Sequence, residues 1–489
     1  MNSKKSLLFI VVTVIFVLSS CSGLKNACTT NCGGGGNATL SLTISDTPPT
    51  NTSVVSFSLP IIGITLTPSS GSAVSVFSSN PSTDFELTRL QTDTNLVAAN
   101  VTIAAGTYTA VNVTVAAPSG VYVNSSGATV GACVNNAICG MTGSAATITY
   151  TFPTGSPLVL ASNSTPWLDL DFNYNNAVVT VNNAVTIDVT QTGVLTASST
   201  VPSGAASGAY ANLDDFTGAV TAISSSSIKV QSSLRGSLTA AINSSTRVFD
   251  PQNQCANATT GLSCIQTGSI VSMQGVLTTA GVATATSLDI IDISTTPSDE
   301  VEGIIYPSAC NGGSNYGMIL SDSEIFTSGS PLTSAGFGAG VCLTLSPTGS
   351  FAIDTGILTG QAGVPVSNVG FRDTGDILAG QMVRAKVTGA ATGTNGVNAT
   401  ATELILRFSR LTGTISTTTG TSFNIAGLPP YLGTTFSTPP QVITYINATL
   451  LEGQTSVGSL TGTVSMSALY LNANDGAQYW FQAAKVRQQ

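Results

Sequence analysis

From Asn37 onward the chain alternates apolar and polar positions in short runs, such as Leu40-Ser41-Leu42-Thr43-Ile44, Val111-Asn112-Val113-Thr114-Val115 and Thr147-Ile148-Thr149-Tyr150-Thr151-Phe152. A period of two with many β-branched residues predicts strands that bury one face. The runs recur about every 8 to 12 residues with Gly, Pro and Asn between them, a spacing that predicts sandwiches or barrels. No amphipathic stretch longer than two helical turns interrupts them. The expected fold class is all-β.

An internal repeat divides the second half of the chain. Phe216-Thr217-Gly218-Ala219-Val220, Val301-Glu302-Gly303-Ile304-Ile305 and Leu411-Thr412-Gly413-Thr414-Ile415 open three segments with one apolar-x-Gly-x-apolar phrase. The first two segments also close alike, from Gly268 and Gly380, through a Gly-x-x-Val start and an Ala-Thr-Ala-Thr-x-Leu end. The third closes more loosely, in a stretch that ends at Val486. Gly303 and Gly413 are expected where a strand bends hard at a barrel corner.

The start of the chain has a different pattern. Lys4 and Lys5 precede an apolar run from Leu7 to Leu18 that only Thr13 breaks. It is shorter than the roughly 20 apolar residues a membrane span needs, so it reads as a secretory leader. Leu18-Ser19-Ser20-Cys21 resembles a bacterial lipobox. The resemblance implies cleavage before Cys21, a diacylglycerol on its thiol and acylation of its new amine. Two or three acyl chains, at about 0.8 kcal/mol per buried methylene, anchor a protein stably. Ser22 follows the cysteine in place of an aspartate that would signal inner-membrane retention, which favours an outer membrane. The glycine-rich stretch to Asn37 reads as a flexible tether.

Three further patches carry a second resemblance: Asp84-Phe85-Glu86-Leu87-Thr88-Arg89-Leu90, Ile103-Ala104-Ala105-Gly106-Thr107-Tyr108 and Trp167-Leu168-Asp169-Leu170-Asp171-Phe172. They resemble an uncharacterised domain at the start of many bacterial lipoproteins, its Ala-Gly-Thr-Tyr turn above all. That resemblance implies an immunoglobulin- or transthyretin-like sandwich and no assigned activity. The repeats resemble the small OB-like barrels that often follow it. The expected layout is a leader over 1–20, lipidated Cys21 and tether over 21–37, and a sandwich over 38–200. A linker over 201–213 leads to barrels over 214–298, 299–408 and 409–489.

Composition narrows the function. Only 8% of residues are charged, against roughly 25% in ordinary soluble domains. Cleavage of the leader removes two lysines and leaves 12 basic against 23 acidic residues. No basic run remains to neutralise phosphates, so nucleic acid is set aside as a partner. Beyond Cys21, eight cysteines fall as near neighbours, and an even count in an exported chain predicts local disulfides. The pairs are Cys28–Cys32, Cys133–Cys139, Cys255–Cys264 and Cys310–Cys342.

The chain contains no histidine, so the usual general base of serine and cysteine hydrolases is missing. Lys229, in Ile228-Lys229-Val230, reads as an outward strand position. Asp169 and Asp171 alternate with Leu168, Leu170 and Phe172, which puts both carboxylates on one strand face. Paired carboxylates serve glycoside hydrolysis or calcium binding; the plainer reading is a solvated face. Asp214-Asp215, Asp299-Glu300 with Glu302, and Asp373 with Asp376 read as acidic loops that keep strand edges apart. Asp373 and Asp376 join Asp169 and Asp171 as calcium candidates, and Arg372 is placed to pair with Asp373. Of the two tryptophans, Trp167 and Trp480, alternation puts Trp480 opposite Tyr479 and Phe481.

The expectation is a non-catalytic, cofactor-free lipoprotein of the bacterial cell envelope that binds a glycan or protein ligand. The alternatives are a structural or assembly subunit of an envelope complex, and a carboxylate-dependent hydrolase.

Overall fold

The computed structural model describes residues 36–488 apart from 51–52, 251–253, 256–260, 295–296, 308–309, 311–315, 366, 395, 433–435 and 437. Cys21, Cys28 and Cys32 lie outside the described residues. The alternating runs form strands, and the chain is all-β. The first module supplies β1 (Asn37–Asp46), β2 (Val54–Pro68), β3 (Val74–Glu86), β4 (Asn95–Ala104), β5 (Gly106–Val115), β6 (Ser119–Val123) and β7 (Ile138–Thr142). It continues with β8 (Ala146–Thr151), β9 (Leu158–Leu160), β10 (Trp167–Phe172), the one-turn helix α1 (Tyr174–Ala177), β11 (Val178–Val181), β12 (Ala184–Ile187) and β13 (Leu195–Ser198).

One layer has the order β13-β10-β1-β4, and the other runs β7-β6-β2-β5-β8 with β3 on β2 and β9 on β5. Alternate residues of facing strands fill the space between them, including Leu40, Leu42 and Ile44 of β1 and Val111, Val113 and Val115 of β5. The opposite face of β1 is buried too, at Ser41, Thr43 and Ser45. That face is covered by the rest of the chain and is not left to water.

Barrel 1 comprises β14 (Ala209–Ile223), β15 (Ser227–Ser232), β16 (Gly236–Ala241), β17 (Arg247–Phe249), β18 (Ile270–Thr278) and β19 (Ala283–Asp292). Antiparallel pairing links β14 to β15, β15 to β16, β14 to β18 and β18 to β19. A parallel contact between β16 and β19 closes the ring.

Barrel 2 repeats the scheme with β20 (Asp299–Ile305), β21 (Tyr316–Glu324), β22 (Gly340–Ile353), β23 (Met382–Gly393) and β24 (Gly396–Thr418), closed by the parallel β22–β24 pair. Barrel 3 uses the end of β24, then β25 (Ser422–Ala426), β26 (Gln441–Ile443), β27 (Leu450–Glu452), β28 (Thr463–Tyr470) and β29 (Phe481–Arg487). The parallel β26–β29 pair closes it. Each is a small barrel of the OB-like kind, and the third shares the pairing scheme despite its looser ending.

Two expected boundaries move. Ala209 to Leu213, placed in the linker, already pair with Thr278 to Gly275 of β18. β24 runs unbroken through 408–409, pairing with β23 up to Arg407 and with β28 from Phe408. One strand thus serves both barrels.

The repeat glycines have a steric cause. A Cβ on Gly218 would lie 2.3 Å from the carbonyl oxygen of Gln231, and one on Gly303 would lie 2.2 Å from that of Ile319. On Gly413 it would meet Ile425 Cγ1 at 2.6 Å. In each barrel the second strand crosses the first too closely for a side chain.

Disulfides join Cys133 to Cys139, Cys255 to Cys264 and Cys310 to Cys342. Among the described residues no helix is long and apolar enough to cross a membrane.

Candidate functional site

The four modules meet at a buried ionic junction. Asp214 and Asp215 sit at a register shift in β14, between Leu213 and Phe216. Such a bulge turns successive side chains toward one place. Arg89, in the turn after β3, reaches them with Nε 3.1 Å from Asp214 and Nη2 3.0 Å from Asp215. Its Nη1 lies 3.0 Å from Glu302 of β20, so one guanidinium ties the sandwich to barrels 1 and 2.

Arg410 of β24 pairs with Asp214 at 2.8 Å and also with Asp215. Arg407 reaches Asp215 at 3.1 Å and pairs with Asp354. Arg384 holds Glu300 at 2.6 Å and Glu302 at 3.1 Å, and Arg235 holds Asp214 at 2.7 Å. Barrel 3 joins the sandwich through Lys485 with Asp93 and through Arg487 Nη1, which donates to the carbonyls of Leu90 and Asp93.

The acidic groups 214–215 and 299–302 are therefore not edge-guarding loops. They are buried strand residues: Asp214, Asp215 and Glu302 meet arginines of other modules, Glu300 pairs with Arg384 of its own barrel, and Asp299 accepts from the amides of Phe326 and Thr327. More than half of the chain's charged residues are buried. Burial alone would raise the Glu302 carboxyl, but Arg384, Arg89 and Arg407 outweigh it and hold it down at about 2. Ion pairs desolvated this far add little net stability, yet they fix which groups must meet. Here the groups that meet come from different modules.

The carboxylates expected to bind calcium are occupied otherwise. Asp169 and Asp171 do share a face, but Asp169 is buried and Asp171 half-buried. Asp169 accepts from Thr43 Oγ1 at 2.6 Å and Ser45 Oγ at 2.5 Å, and Asp171 accepts from Thr47 Oγ1 at 2.7 Å. Trp167 Nε1 donates to Thr43 Oγ1 at 2.8 Å, extending the ladder across β1 and β10. Trp167 itself is buried, stacked on Tyr210 of barrel 1.

Asp373 caps a short turn through Gly375 N at 2.7 Å, and Asp376 accepts from Arg372 N at 2.7 Å and Asn472 Nδ2 at 3.0 Å. Arg372 pairs with Asp475, not Asp373, which docks this loop on barrel 3. Among the described residues no group of three or more His, Cys, Asp or Glu is gathered to hold a metal.

Asp169 has a testable titration. Burial raises its carboxyl from the ordinary value to about 6, with Arg487 and the two hydroxyls opposing. A raised folded-state value means that the folded chain holds the proton more tightly. The contribution to stability is then complete below the ordinary value of 3.8 and is lost as pH rises through about 6. Asp169→Asn is expected to remove this loss and to raise the urea midpoint at pH 7. An unchanged slope of midpoint against pH between 4 and 7 would contradict the assignment.

A different site opens on barrel 3. Phe436, Tyr479 and Trp480 line a groove of about 640 Å³ with the amides of Asn424, Gln441 and Gln478, and Pro439 and Pro440 complete its wall. Asn424 of β25 and Gln441 of β26 are register partners. Gln441 Nε2 donates to Ser422 Oγ at 2.8 Å, and Gln478 Nε2 donates to Tyr479 Oη at 2.8 Å. Trp480 is half-buried, edge-to-face with Phe436 at 5.7 Å, and its carbonyl accepts from Leu471 N. The expected alternation fails here because β29 begins only at Phe481, so Tyr479 and Trp480 line the groove together. The aromatics were visible in the sequence; the amides, which carry no spacing signal, were not.

Residues 37–245 match the family described as "Domain of unknown function (DUF4382)". The match takes in the sandwich and the first three strands of barrel 1. No curated protein matches the chain. Among solved structures, a Drosophila chain titled "drosophila Unr CSD456" is 10% identical, with 56% of this chain and 97% of that chain covered and a TM-score of 0.12. At that score the likeness carries no argument.

Proposed function

We propose that this chain is a non-catalytic binding protein of the bacterial cell envelope, anchored through lipids on Cys21 and presenting its β-modules as one oriented body. The observation that carries the reading is the destination of its charge. Arginines and carboxylates that could do chemistry are paired inside the module junction, while the groove on barrel 3 is lined by aromatic rings, prolines and neutral polar side chains. Such a body recognises a ligand and leaves it unchanged. The lipobox-like Leu18-Ser19-Ser20-Cys21, the low charge and the disulfides support export.

The test is mass spectrometry of the mature N-terminus together with protease shaving of intact cells. Acylated Cys21 is expected, and peptides released from outside would place the modules at the cell surface. Acylated Cys21 without release would face them to the periplasm. An N-terminus cut elsewhere, or an unmodified Cys21, would remove the anchor from the proposal.

A further inference from the structure

We infer that the groove on barrel 3 is a binding site for neutral oligosaccharide, an inference that rests on the binding role proposed above and names its ligand class. The three barrels share one strand order but differ in the connection between their last two antiparallel strands. In barrel 1 that connection is residues 279–282 and in barrel 2 it is residues 394–395, whereas in barrel 3 it runs over 471–480. The extended connection delivers Gln478, Tyr479 and Trp480 to one side of β25 and β26, which supply Asn424 and Gln441. In small barrels of this kind the second and third strands and this connection form the usual ligand face. Only a chemical argument can say what binds there, since fold analogy does not carry function.

The lining supplies that argument. A pyranose ring presents polarised C–H bonds on its faces and hydroxyls around its edge. The negative faces of Trp480 and Tyr479 suit the first, and side-chain amides, which both donate and accept, suit the second. Among the described residues that line the groove there is no Lys, Arg, Asp or Glu. Single-stranded nucleic acid needs cations along such a groove, and an acidic glycan would meet a chain whose formal net charge is −9. With no carboxylate pair in the groove, a bound glycan is held without hydrolysis. The volume falls within the range of small-molecule sites, about 300–1,000 Å³, and has room for more than one sugar ring. The bonds from Gln441 to Ser422 and from Gln478 to Tyr479 hold the lining in place before a ligand arrives.

The experiment titrates the full-length chain with neutral oligosaccharides built on glucose, mannose and N-acetylglucosamine while following tryptophan fluorescence. Trp167 is buried beneath Tyr210, so the response reports Trp480. A saturable change is expected, weakened about tenfold in Gln441→Ala or Gln478→Ala, and calorimetry, which needs no fluorophore, is expected to show binding to wild type and none to Trp480→Ala. The two amide variants alter side chains that are exposed, which keeps the test independent of folding. A response only to oligothymidylate, to a proline-rich peptide or to acidic glycans would overturn the inference, as would no response at all. Capture of isolated envelopes by wild type and Trp480→Ala separates the two proposals. Equal capture by both variants without any glycan response removes this site and leaves the binding role standing. Capture by neither removes both.

Discussion

Replacing Arg89 with alanine destabilises the folded chain by about 3–5 kcal/mol, the cost of leaving buried charges without their partner. Arg89 is 1% exposed and holds Asp214, Asp215 and Glu302 at once. Its loss leaves Arg410 and Arg235 on Asp214 and the Thr94–Asn212 backbone bond in place, but removes a guanidinium shared by the sandwich and barrels 1 and 2. The variant should therefore lose module orientation before it loses the modules. Limited proteolysis is expected to cut faster within residues 199–208, between β13 and β14, while each module's strands persist by circular dichroism. Wild-type cleavage kinetics in Arg89→Ala would show that the junction is incidental.

Acid should produce a related opening without mutation. Glu302 is held at about 2, below its ordinary value of 4.5, so its stabilising contribution is present above 4.5 and lost as pH falls through about 2. Asp169 has the opposite sign, so the two dependences separate on the pH axis.

Gly303→Ala is the second large effect. The added carbon would stand 2.2 Å from the Ile319 carbonyl oxygen and 2.7 Å from Met318 Cγ. The main obstacle is backbone in a paired strand, so no side-chain rotation relieves it. Overpacking of a well-filled core costs about 1–3 kcal/mol and sometimes more, and here the ring of barrel 2 must open to admit the methyl. Gly140→Ala is the control, because it sits in β7 with nothing within 4 Å of its Cβ position. A clear fall in the denaturation midpoint for Gly303→Ala with none for Gly140→Ala is expected. Equal midpoints would show that the close crossing yields at little cost.

The sequence by itself determined what depends on neighbouring residues. Alternation gave the strands, because a side-chain period of two is set by the backbone. The phrase around Gly218, Gly303 and Gly413 marked three barrel openings, because at each crossing two backbones exclude a Cβ. Cysteines close in sequence pointed to the bridges between Cys133 and Cys139, Cys255 and Cys264, and Cys310 and Cys342.

Only the tertiary structure decided where the charge goes. Asp214 and Glu302 look like edge charges in their own strands, and Arg89 gives no local sign of them across 125 and 213 residues of chain. The covered face of Asp169, the partner of Arg372 and the meeting of Trp480 with Gln441 were hidden for the same reason. A strand's pattern says which side is buried against its own sheet partner. What covers the other side depends on long-range packing, which no local period encodes.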